Sequence, residues 1–374
     1  MSVIVAADRL LDGRGHDGPG WLRIEAGVVT ERGDGAPTPS DADVETVDVV
    51  VPGFVDVHVH GARGVDFAAL GVDPAPAIAH HAAGGSTTLL GSLATGPFAG
   101  TVARLRELAP VVRSGALAGL HLEGPFLSRE RRGAHDPALL RDPVPADVDA
   151  LLDAADGALA MVTLAPELPG GLEAVRRLVD AGVVVALGHT AASSGVVAAA
   201  VDAGATVLTH LFNGMPPLHH RDPGPVGQGL ADARLGLELI GDGHHVHDVV
   251  VDAVLRAAAD RVLLVSDAMA ATGLGDGAHR LAGSDVVVSD GIAMLADGSS
   301  LAGSTTPVGG AVEGLLERGL DAAAVVPLTS STPARLLGLP TTSLAVGETA
   351  DLVALDGWRI ARVMRRGTWL ASSS

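Results

Sequence analysis

The chain has 374 residues, 47% of them hydrophobic, and a formal net charge of −19. That length suits one large α/β domain with a smaller companion; the apolar content builds a core without staples, and the charge argues against a nucleic-acid or anionic-membrane surface. Cys, Lys and Tyr are absent, which excludes disulfides, thiolate ligands, Schiff bases, carbamylated-lysine metal bridges and phenolic acid–base chemistry. Catalysis must come from His, Asp, Glu, Ser, Thr and metal.

The opening MSVIVAADRL has no basic region followed by a long apolar stretch, so no signal peptide is expected. No apolar run reaches the length of a membrane span, and a cytoplasmic protein is the expectation. Residues 1–50 read as short strands with turns, "SVIVAADRLLDG", "GWLRIEAGVVTERGDG" and "DVETVDVVV", with Gly and Asp between the apolar pieces. The C-terminal "VGETADLVALDGWRIARVMRRGTWLA" reads the same way. Residues 1–50 plus 341–374 are therefore expected to form one small β-sandwich domain built from both termini.

Between them, over residues 51–340, apolar runs alternate with Ala/Leu-rich amphipathic stretches. Eight runs stand out: "VVPGFVDVHVH", "STTLLGSLATG", "ALAGLHLEG", "LAMVTLAPE", "VVVALGHT", "ATVLTHLFN", "LGLELIGDGHH" and "RVLLVSDA". Most are separated by helix candidates such as "GLEAVRRLVDAG" and "HDVVVDAVLRAAAD". Continuous apolar strands covered by helices mean a parallel sheet, and eight such units predict a (β/α)8 TIM-like barrel. "SDVVVSDGIAMLADGSSLAG" reads as a hairpin inserted after strand eight. "STPARLLGL" reads as a helix with a Thr cap and Pro at its first position.

The polar residues fall at C-terminal strand ends, the active face of such a barrel. Strand one ends in His58 and His60, two apart and so on one face. Strand three ends in His121, Leu122 and Glu123, strand five in His189, strand six in His210 and strand eight in Asp267. Any one of these has an ordinary structural reading: a hydrogen-bonded histidine, or an aspartate capping a loop. Five strands ending in ligand-type side chains point instead to a site for one or two divalent metals. His80 and His81 lie in a helix candidate and read as surface or packing residues. His16, His247 and His279 have no motif around them.

These residues carry a resemblance. The HVH of strand one and the strand-eight Asp resemble the amidohydrolase superfamily of metal hydrolases. "HLEGPF" (121–126), "GHT" (188–190), "THLFNGMPPL" (209–218), "GDGHHV" (241–246), "SDAM" (266–269) and "LAGS" (301–304) resemble the N-acetylglucosamine-6-phosphate deacetylase family, in order and over nearly the whole chain. The resemblance implies that Glu123, His189 and His210 bind a principal metal and that His58, His60 and Asp267 complete a second site. Two divalent ions per chain, Zn or Fe, follow. Asp267 would be general base and then general acid, and His135 in "RRGAHDP" would orient or polarise the acetyl carbonyl. Asn213, Gly214, Arg221 and His245 would meet phosphate or sugar, and Leu301, Ala302, Gly303 and Ser304 would line the acyl pocket. The implied reaction converts N-acetyl-D-glucosamine 6-phosphate to D-glucosamine 6-phosphate and acetate, in a homodimer that shares its active sites. His219, His220 and His244 have no implied role. The rival readings are the same chemistry on N-acetylgalactosamine 6-phosphate or an N-acyl amino acid, a metal phosphoesterase, and a sugar-phosphate-binding protein without catalysis.

Overall fold

The computed structural model describes residues 2–37, 43–340 and 343–371. All eight apolar runs become strands of one sheet: Phe54–Val59, Ser86–Ala94, Gly119–Glu123, Leu159–Leu164, Val184–Leu187, Val207–Leu208, Gly236–Ile240 and Val262–Val265, here barrel strands one to eight. Sequence neighbours are sheet neighbours throughout. Strand eight returns to strand one just past its regular part. The Asp267 N–H donates to the His58 carbonyl at 2.9 Å, and the His60 N–H to the Ala268 carbonyl at 2.8 Å. The (β/α)8 barrel is therefore what the runs build.

The composition explains the layering. Every residue of strand one is buried, as a strand covered on both faces requires; each of its Val and Phe side chains contributes about 1.5–3 kcal/mol on leaving water. The helix Gly171–Asp180 turns Ala174, Val175 and Leu178 inward, a helical period, and leaves Arg177 outside to pair with Asp149 at 2.5 Å. The helix Asp248–Ala258 starts at His247, whose ring accepts the Val249 N–H, so His247 is a cap.

Two local readings change. The insert after strand eight is a three-stranded antiparallel sheet, Gly277–Leu281, Ser284–Ser289 and Ile292–Leu295. Its middle strand alternates buried Val286 and Val288 with exposed neighbours, so one face packs and the other meets water. The helix around "STPARLLGL" starts at Ser331, two residues before Pro333. A 3-10 turn over Val326–Thr329 runs straight into it, so the chain is already coiling, and the Ser330 hydroxyl bonds back to the Val326 carbonyl instead of capping forward.

Both termini share a seven-stranded sheet, in which Asp43–Pro52 lies parallel to Ser2–Leu11 and antiparallel to Leu352–Asp356. The sheet curls until the Val29 N–H reaches the Glu348 carbonyl at 2.9 Å, enclosing Leu10, Leu22, Ile24, Val50, Leu352 and Met364. The chain clusters into two compact units, residues 1–56, 79–88 and 307–374, and residues 57–78 and 89–306. The first extends past the terminal strands because helix Val308–Glu317 is tied to strand Arg359–Arg365, Glu313 accepting the Ile360 N–H at 2.7 Å. Position 341, the expected start of the C-terminal part, lies outside the described residues.

Candidate metal centre and active-site pocket

Six ligand-type side chains converge at the mouth of the barrel as two trios, His58 with His60 and Asp267, and Glu123 with His189 and His210, all buried. In the first, His58 Nε2 lies 3.1 Å from His60 Nε2 and 3.4 Å from Asp267 Oδ1; His60 Nε2 is 3.2 Å from the same oxygen. In the second, Glu123 Oε1 is 3.1 Å from both His189 Nε2 and His210 Nε2, which are 3.1 Å from each other. Glu123 reaches both trios, with Oε1 3.5 Å from His58 Nε2 and Oε2 3.2 Å from His60 Nε2.

These contacts fit metal ions. The Nδ1 atoms of His58 and His189 face acceptors, Glu238 Oε2 at 3.0 Å and the Arg131 carbonyl at 2.8 Å, so Nδ1 carries the proton and Nε2 presents a lone pair. Two inward nitrogens near 3.1 Å approximate the edge, about 3.3 Å, of a tetrahedron with metal–nitrogen bonds of about 2.0–2.1 Å. An imidazole whose far nitrogen donates to a carboxylate or carbonyl is the usual arrangement of a metal ligand.

Without a cation, the carboxylates hold protons on the imidazoles. Burial pulls His58 down, but Asp267, Glu238 and Glu123 outweigh it and push it up to about 9. His60 is raised well above its ordinary value against the same burial, by hydrogen bonds to Asp267 and Glu123. Burial raises Asp267, yet His58 and His60 bring it to about 2. Such opposed shifts inside one cleft mark a functional site.

The backbone delivers these side chains by left-handed turns. His189, His210 and Asp267 have φ of 46°, 28° and 50°, uncommon values for residues other than Gly that collect at functional sites. Gly133 and Gly214 flank the His189 ring; a Cβ on Gly214 would stand 2.9 Å from Nδ1, and one on Gly133 3.0 Å from Cε1.

A cavity of about 100 Å³ opens above the trios. Asp267 and His135 face it, with His135 Nε2 3.2 Å from Glu123 Oε2. Asn213, Gly214, His245, Leu301 and Gly303 line it as well. Ala302 and Ser304 are buried behind that wall, where the Ser304 N–H bonds the Asp267 carbonyl at 2.8 Å. Arg221 is exposed on the loop after strand six, outside the lining of this cavity. His219 and His220 lie on the same loop, exposed, with ring centroids 4.4 Å apart and the rings tilted by 49°.

The residue-type reading passed over several groups. Glu238, mid-strand in "LGLELIGD", is fully buried and holds His58; an acid inside an apolar run was the available signal. Asp242 bonds His245 Nδ1 at 2.7 Å and is held well below the carboxylate range by that histidine despite its burial. This separates His245, at the cavity, from His244, which is exposed. His121 has no place in either trio. Its Nδ1 meets Ser92 Oγ at 2.9 Å and its Nε2 meets Thr163 Oγ1 at 2.8 Å, and burial beside His58 keeps it well below its ordinary pKa. Leu281, from the three-stranded insert, also lines the cavity.

Residues 49–370 match the Amidohydrolase family. An N-acetylgalactosamine-6-phosphate deacetylase of Escherichia coli O157:H7 is 38% identical over 380 residues, covering 98% of this chain and 99% of that protein. An N-acetylglucosamine-6-phosphate deacetylase of Bos taurus is 38% identical over 329 residues, covering 82% and 80%. Among solved structures, N-acetyl-D-glucosamine-6-phosphate deacetylase from Mycobacterium smegmatis is similar with a TM-score of 0.95 and 42% identity, over 99% of this chain and 100% of that one. A mutant of that enzyme in complex with N-acetyl-D-glucosamine-6-phosphate has the same TM-score and identity, over 98% and 99%. The barrel, the doubled ligand set at its mouth and a match spanning most of the sequence agree: this chain belongs to the amidohydrolase family.

Proposed function

We propose that the protein is a divalent-metal-dependent deacetylase of N-acetyl-D-glucosamine 6-phosphate, releasing D-glucosamine 6-phosphate and acetate. The observation that carries this reading is Glu123, a member of one buried trio, reaching His58 and His60 of the other while Asp267 and His135 face one cavity. The relatives named above act on phosphorylated N-acetyl amino sugars, and this chain spans 99% of the length of one of them.

Glu123, His189 and His210 would hold one ion and His58, His60 and Asp267 a second, with Zn or Fe suited to this nitrogen and oxygen set. A divalent ion there lowers the pKa of a bound water from ~15.7 towards ~7 and polarises a carbonyl. Asp267 takes a proton from the water that adds to the acetyl carbon. His135 Nε2 donates to the carbonyl oxygen as negative charge grows there. Asp267 then gives its proton to the amide nitrogen as the C–N bond breaks, so the amine leaves neutral together with acetic acid, which loses its remaining proton to solvent as acetate. Leu281 and Leu301 supply an apolar wall for the acetyl methyl group.

The phosphate would meet His245, oriented by Asp242, and the amides around Asn213 and Gly214. Arg221, exposed in its own chain, would reach the site of a second copy, which makes the active enzyme a homodimer. In a chain of net charge −19 a dianion needs such local cations, and the planar guanidinium suits a phosphate.

One observation favours the galacto epimer: the Escherichia coli relative that matches over 98% of this chain is an N-acetylgalactosamine-6-phosphate deacetylase. Acetate release measured side by side on the two 6-phosphates decides between them. A kcat/KM at least tenfold higher for the gluco substrate supports the main reading, and the reverse order replaces it with the galacto one.

A further inference from the structure

The barrel interior contains a carboxylate, Glu238, that neither trio uses. Glu238 is fully buried on barrel strand seven. Its Oε2 receives two hydrogen bonds, one from each half of the centre: the Nδ1–H of His58 at 3.0 Å and the backbone N–H of His210 at 3.3 Å. Its Oε1 has no hydrogen-bond partner among the described residues. A buried carboxylate with half its acceptors unmet is costly to the fold, so stability does not explain its presence. Placement does. An imidazole can carry its proton on either nitrogen, and only the Nδ1–H form presents the Nε2 lone pair to an ion. His60, the other imidazole of that trio, has no partner at Nδ1 among the described residues, so the fixed direction within the pair comes through His58.

We propose that Glu238 is a positioning residue that makes the His58, His60 and Asp267 trio a competent ion site, by locking His58 as its Nδ1–H tautomer. The inference rests on the two-ion reading above, and the two fail in different ways. Chelator-stripped full-length wild type, Glu238→Leu and Glu238→Gln are titrated with Zn²⁺ by calorimetry, and retained Zn²⁺ is counted after gel filtration. Wild type is expected to keep two equivalents. Glu238→Leu is expected to bind one of them roughly 10–100-fold more weakly and to come off the column with one. Glu238→Gln, which can still accept from both donors, should recover most of that affinity. General loosening of the fold would instead weaken both ions together and lower the unfolding midpoint of the stripped variant. Wild type holding a single equivalent overturns both readings. Wild type holding two, with Glu238→Leu unchanged, overturns the Glu238 assignment alone. The tautomer is also readable in Zn²⁺-loaded wild type by long-range 1H–15N correlation of the histidine rings. His58 protonated at Nδ1 supports the assignment, and protonation at Nε2 ends it whether or not the variants fold.

Discussion

Asp267 and His58 are joined twice: the Asp267 N–H donates to the His58 carbonyl at 2.9 Å, and Asp267 Oδ1 stands 3.4 Å from His58 Nε2. The bond that closes the barrel between strands eight and one therefore also sets the distance between a candidate base and a candidate ligand. A change at the seam is a change at the centre.

Replacing Asp267 with Asn keeps the backbone bond and the side-chain shape and removes the proton-accepting charge. kcat for acetate release is expected to fall by roughly 10²–10⁴, with bound metal counted in the same samples. A variant that keeps both its metal and a near-native kcat removes Asp267 from the base role.

The opposed pKa shifts give the metal-stripped chain a characteristic pH profile. His58 is raised from 6.5 to about 9, so its contribution to stability is full below 6.5 and is lost as pH rises through about 9. Asp267 is lowered from 3.8 to about 2, so its contribution is full above 3.8 and is lost as pH falls through about 2. The stripped chain should resist unfolding best between about pH 4 and 6.5. Metal ions take the place of those protons, so the midpoint gained on adding Zn²⁺ should widen from pH 6.5 to 9. A stripped chain that grows more stable over that range contradicts the assignment.

Gly214→Ala tests how tightly the second trio is built. The added Cβ would sit 2.9 Å from His189 Nδ1, at a φ of +62° that strains any other residue. His189 should turn away from its bond to the Arg131 carbonyl, and ion affinity at the Glu123 trio should drop roughly 10–100-fold. Unchanged metal retention after dialysis would show that the ring has room.

Arg221→Met should raise KM for the phosphorylated substrate by one to three decades, since a charge-assisted bond contributes roughly 1.5–3 kcal/mol and more when desolvated. Activity on the unphosphorylated N-acetyl sugar should hardly change. Equal losses on both substrates would make Arg221 structural and place the phosphate elsewhere.

Much of this was legible in residue order. Eight apolar runs became eight strands because a parallel sheet covered on both faces writes itself as continuous Val, Leu and Ala. Their ends carried the ligand-type residues because the barrel's chemistry sits there. What stayed hidden depends on conformation or on distant partners. The positive φ of His189, His210 and Asp267 has no signature in residue type. Glu238 meets His58 across 180 residues, and its single letter inside an apolar strand says nothing of that partner. His244 and His245 are equivalent in sequence; Asp242 distinguishes them by bonding the ring of one.

The central claim is that this buried pair of trios drives hydrolysis of the acetamide through divalent metal. Its most direct test is acetate release from N-acetyl-D-glucosamine 6-phosphate, followed by chelator treatment and stepwise return of Zn²⁺ or Fe²⁺ with bound metal measured in each sample. Acetate should appear in equal amount to free amine, vanish with the metal and return in proportion to its reloading. Full deacetylation by protein shown to be metal-free would contradict the account.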